Sequence, residues 1–160
     1  MKKIEFDHHN IGGIYRIYAI PESSFLRVRE DAISGRGHLD LIRTGDIIDL
    51  YVVDDSVVFT EEQSRSAPGA GYDVTIAGII PKSNAPNRKQ FLELENKTFL
   101  VLFLDNNSNV RLAGTEENRL YFKRKETTGT LNSRNQIEFE FKGKQVKPCY
   151  FIDTKELPYL

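Results

Sequence analysis

The chain has 160 residues, which fits one domain, 1–160, burying roughly 70% of the surface its unfolded state exposes. With 22 basic and 23 acidic side chains the net charge is −1, so no global attraction to nucleic acid or to an anionic membrane is built in. The single cysteine, Cys149, excludes an internal disulfide and suits folding in a reducing compartment, and no apolar run approaches the ~18–20 residues that span a bilayer.

The opening MKKIEFDHHN has two lysines but no apolar stretch behind them, so it does not read as a signal peptide. Lys3–Phe6 predicts a short edge strand. Ile11–Ile20 predicts a longer one, loosened at Gly12-Gly13 and stopped by Pro21, with Ile14, Tyr18 and Ile20 opposite Tyr15, Ile17 and Ala19. Ser24–Val28 alternates again, Phe25 and Arg27 against Leu26 and Val28. The segment 29–45 is polar and punctuated by Gly35, Gly37 and Gly45, and reads as an extended loop. Asp46–Val53 and Val57–Thr60, joined by Asp54-Asp55-Ser56, predict a hairpin. The next segment, 61–70 (EEQSRSAPGA), has no side chain that could build a core and reads as a second extended loop.

Tyr72–Ile80 is a clear half-buried strand, with Tyr72, Val74, Ile76 and Ile80 on one face. Gly78 falls where that face needs a bulge or a close backbone approach, and Pro81 ends the strand. Asn84 can cap a helix over about 87–95, with Pro86 in its first turn, Phe91 and Leu94 on one face and Asn96 closing it. Thr98–Leu104 is apolar on both faces and predicts the most buried strand of the protein. Asp105–Asn109 is turn chemistry leading into Val110–Ala113. Arg119–Lys125 and Gln136–Lys142 predict a further hairpin, across the loop Glu126–Asn135. It would have Leu120, Phe122, Ile137, Phe139 and Phe141 inward and lysines facing glutamates outward. Cys149–Asp153 predicts a last strand. Ten Phe and seven Tyr beside many Val and Ile agree with this reading. The fold class is therefore mainly β: a β-sandwich or barrel of roughly ten short strands with one short helix.

None of the chemically suggestive clusters makes a site. Asp105, Asn107, Asn109 and Glu116 match positions 1, 3, 5 and 12 of a calcium loop, but Val110 stands where the bend needs glycine, and the flanks are strands. His8 and His9 point to opposite sides of an extended segment and cannot share a metal with His38 from there. The pairs Asp54-Asp55, Glu61-Glu62 and Glu116-Glu117 fall at expected turns or loops, without the apolar setting that raises a catalytic carboxyl. Cys149, between Pro148 and Tyr150, reads as a packed hydrophobe. No catalytic residue, metal or cofactor is expected, and the chain reads as a non-enzyme. The alternative is a β-barrel module binding nucleic acid or carbohydrate, with Lys123, Arg124 and Lys144 beside Tyr121 and Phe122. Glu138 and Glu140 on the neighbouring arm work against a uniformly positive groove.

Several phrases in order carry a resemblance: GGIYRIYAIPESSFLRV (Gly12–Val28), FTEEQS (Phe59–Ser64), VTIAGIIPK (Val74–Lys82), VLFLDNNSNVRLAGT (Val101–Thr115), TTG (Thr127–Gly129) and IEFEFKGK (Ile137–Lys144). Together they resemble small structural proteins of the tail modules of tailed phages and prophages. A common Asn-Gly at the tight turn is replaced here by Asn107-Ser108-Asn109. The resemblance implies a non-catalytic tail subunit (tube, terminator or completion protein) that packs as a homo-oligomeric ring with other tail proteins. It also implies a place in the virion tail, assembly in the bacterial cytoplasm, no membrane partner, and nucleic acid at most passing through the ring. The segments 29–45 and 61–70 are then expected to hold the inter-subunit contacts, Arg36 and His38 on the first and Ser64, Arg65, Ser66 and Pro68 on the second.

Overall fold

A computed structural model describes residues 11–42, 44–53, 55–66, 69–81, 85–127 and 135–153. The expected strand 3–6, the pair His8-His9, Asn84, Pro68 and the final residues 157–160 lie outside them. The strands are β1 (Ile14–Pro21), β2 (Phe25–Glu30), β3 (Gly37–Leu41), β4 (Ile48–Leu50), β5 (Val58–Ser66), β6 (Gly69–Pro81), β7 (Thr98–Asp105), β8 (Val110–Ala113), β9 (Leu120–Thr127), β10 (Gln136–Gln145) and β11 (Tyr150–Ile152). The helix α1 (Ala85–Leu94) follows β6. All eleven strands share one sheet in the order β2-β3-β11-β8-β7-β9-β10-β6-β5, with β1 paired to β7 and β4 to β1. Every pairing is antiparallel except β3 with β11, and the sheet does not close.

The sheet folds over itself because its central strands are apolar on both faces. On β7, Phe99, Val101 and Phe103 enter one core while Leu100 and Leu102 enter another; on β1, Ile17 and Ala19 part from Tyr18 and Ile20 in the same way. The first core is closed by β5, β6, β9, β10 and α1, with the Phe59 ring 4.8 Å from that of Phe103. Phe25 and Leu39 of β2 and β3 cover the second core.

Local chemistry sets the details. Asn96 takes φ 63° just past α1, and Phe91 of that helix stacks on Phe122 at 6.3 Å while Leu92 stays exposed. The Asp105 carboxylate accepts the Asn107 and Asn109 amides and the Asn109 side chain, so it caps the turn, with Ser108 at φ 62°. Gly78 is a close approach and not a bulge: the β6–β10 register runs through it unbroken, and a Cβ there would lie 2.9 Å from Val57 and 3.0 Å from the Phe139 ring.

Four expectations are corrected. Asp46–Val53 does not pair with Val57–Thr60; β4 pairs with β1 and β5 with β6. Ser56 is the reason, since its hydroxyl accepts the Ile79 amide at 3.2 Å and Val53 donates to Ile79, which hands the chain on to β6. Leu26 is exposed because a bulge between Phe25 and Arg27 shifts the alternation of β2. The supposed loop 29–45 contains β3, which returns along β2 after a turn at Asp31, where the carboxylate accepts the Ile33 and Ser34 amides. Finally, 61–70 is no loop: except for 67–68, it lies in β5 and β6.

Candidate assembly interface

The β5–β6 ladder runs without a register shift from Val58↔Ala77 to Ser66↔Gly69. On its other side β6 pairs with β10 only as far as Tyr72↔Gln145. Beyond that rung Ser64↔Gly71, Arg65↔Ala70 and Ser66↔Gly69 have no third strand among the described residues. At about 3.3 Å per residue this two-stranded arm reaches roughly 10 Å past the sheet. A two-stranded ribbon alone is marginal in water, and this one is built of serine, glycine and alanine around a single arginine. Arg65 lies on the face of β5 that carries Phe59 and Glu61, but it is exposed and its guanidinium has no hydrogen-bond or ion-pair partner among the described residues.

The root of the hairpin is fastened firmly. The Glu61 carboxylate accepts the Cys149 amide at 2.6 Å, and the Arg111 guanidinium sits 5.6 Å from the Phe59 ring and 4.5 Å from that of Phe151. Glu61 is thus half-buried on a strand, contrary to the loop setting expected of it, and it serves as a structural clasp. The Cys149 thiol is packed in the first core, and burial first, then the neighbouring Glu61, pushes its pKa up, so it stays protonated.

The two ends of the strand order differ in kind. The outer edge of β2 is broken by its bulge and lined by Arg27 and Arg29, which share Asp40 at 2.9 Å each and hold its carboxyl below the usual range. The outer edge of β5 is regular over nine residues, with no proline or bulge, and no described strand covers it.

The expected contact residues separate accordingly. Ser64, Arg65 and the backbone of Ser66 lie on the arm. Arg36 and His38 lie on or beside β3, near the other end of the strand order; Arg36 is 3.6 Å from Asp153, and His38 stands opposite Arg29. No sequence signal marked the arm as a strand, because its ladder is a backbone feature.

Of the residues of the alternative binding module, Tyr121, Lys123 and Lys144 line one cleft of about 680 Å³ together with Asp73, Glu116 and Glu117, whereas Phe122 is buried in the first core. Arg124 turns inward, bonded to Glu95 at 2.6 Å and Glu126 at 3.3 Å. Lys125 faces Glu138 at 3.6 Å, the cross-strand pairing expected of the β9–β10 hairpin, and Lys144 of β10 faces Asp73 of β6 at 3.4 Å. Among the described residues no helix is long and apolar enough to cross a membrane.

No protein-family model matches the chain, and no curated protein matches it either. Among solved structures it is similar to a chain from the tail of an empty GTA particle, computed with helical refinement in C6 symmetry. The TM-score is 0.30 and the identity 10%, over 91% of this chain and 86% of that one. A likeness so loose does not establish a common fold.

Proposed function

We propose that this chain is a non-catalytic structural subunit of a bacteriophage tail, a tube, terminator or completion protein that assembles with copies of itself into a ring. The virion tail is its final place, the bacterial cytoplasm its place of assembly, and other tail proteins its further partners. The sequence phrases quoted above suggest the tail. The observation that carries assembly is the hairpin β5–β6, whose root is clamped into the core while no described strand pairs with its nine-residue outer edge or extends its arm. An edge without bulge or proline is a template for another chain, and soluble monomers avoid presenting one. Where edge and arm meet a different surface of a copy, the contact is heterologous and closes into a ring when the rotation permits.

The mass of the native particle tests this. A ring weighs severalfold more than the 18.4 kDa chain, and sedimentation as a monomer up to the highest attainable concentration would refute the proposal. Deleting residues 64–70 is expected to leave a folded monomer that no longer assembles.

A further inference from the structure

A second surface complements the arm. Between the short turn Glu22–Ser24, β4 and α1 lies a cleft of about 520 Å³, lined in part by Ser23, Ile47 and Ile48. Three carboxylates reach it, Asp46, Asp49 and Glu93, against one cation, Lys97. Asp49 is already held by Arg16 at 3.0 Å. Asp46 has only the Ser23 hydroxyl at 3.4 Å, and Glu93 is exposed with no hydrogen bond or ion pair among the described residues. Among the described residues the molecule thus carries a slender ribbon whose guanidinium has no partner, and elsewhere a cleft in which two carboxylates form no ion pair.

We infer that the arm of one copy docks in the cleft of the next, with Arg65 seated between Asp46 and Glu93. This rests on the ring reading and gives it a direction, since arm and cleft are different surfaces of one chain and the contact repeats head to tail. Ser64, Gly69 and Ala70 beside Arg65 keep the ribbon slender, and the mainly polar lining of the cleft offers its backbone groups hydrogen-bond partners. Arginine suits the role because its planar fork can engage two carboxylates at once. A second copy is the occupant because the arm's charge and the cleft's are opposite and both are left over within one chain.

The test is charge reversal in the full-length protein, read by sedimentation velocity over a concentration series, with circular dichroism to verify folding. Arg65→Glu and Glu93→Arg are each expected to raise the concentration of half-association at least tenfold at low salt, and the double variant to recover most of that loss. Asp46→Lys, alone and with Arg65→Glu, repeats the test on the cleft's other wall. Single variants that associate like the wild type, or double variants no better than the singles, overturn the docking while the ring stands. A wild type that never associates overturns both.

Discussion

The two ends of the β5–β6 hairpin form a natural comparison, because they share one ladder, one register and one pair of strands. At the root Phe59, Val74 and Ile76 face a packed layer and Glu61 clasps the Cys149 amide. At the arm the same ladder continues with Ser64, Arg65, Gly69 and Ala70, and nothing described lies beneath it. The β5–β6 pairing is the same at both ends. What differs is burial and the third strand β10, which pairs with β6 at the root alone, so the root belongs to the fold's stability and the arm is left for association.

Substitutions should separate the two. The largest effect is expected at Phe103, buried under Phe59: Phe103→Ala should destabilise the fold by about 3–5 kcal/mol in urea unfolding. A loss below about 1 kcal/mol would mean that β5 is not packed on β7. Gly78→Val should cost about 1–3 kcal/mol by forcing Val57 and the Phe139 ring aside. Deleting residues 64–70 should change unfolding stability by no more than about 0.5 kcal/mol, as for surface changes away from the core, while abolishing association. A large stability loss there would erase the distinction between root and arm.

The smallest effect is a dependence on pH. Burial raises the Cys149 pKa, so folding favours the protonated thiol. That contribution is complete below the unfolded thiol's value of about 8.5 and is lost progressively as pH rises above it. Cys149→Ala should flatten the decline in stability above that pH, and alkylation of the native thiol should be far slower than of the unfolded one. Fast native alkylation would place Cys149 outside the core.

Much of the central fold was legible in the residues themselves. The doubly apolar β7, the turn at Asp105, the alternation of β6, β9 and β10 and the left-handed Asn96 are each dictated by local side-chain chemistry, whereas at Gly78 the residues alone left a bulge and a close approach open. The same holds for the inward set Leu120, Phe122, Ile137, Phe139 and Phe141, and for Lys125 facing Glu138. Hydrophobic period and turn residues act over a few positions, and one sequence states them directly.

Tertiary structure decided the rest. Residues 61–66 are strand because β6 offers a ladder to them, although their side chains say loop; hydrogen bonds between backbones leave no mark in residue type. Val53 and Ser56 bond to Ile79, twenty or more positions away, and so cancel the local hairpin. Glu61, a surface carboxylate by its neighbours, becomes a clasp only once Cys149 is folded beside it. Side-chain pattern fixes which face of a strand is buried. Which strands meet, and which edge is left bare, depends on contacts between distant segments.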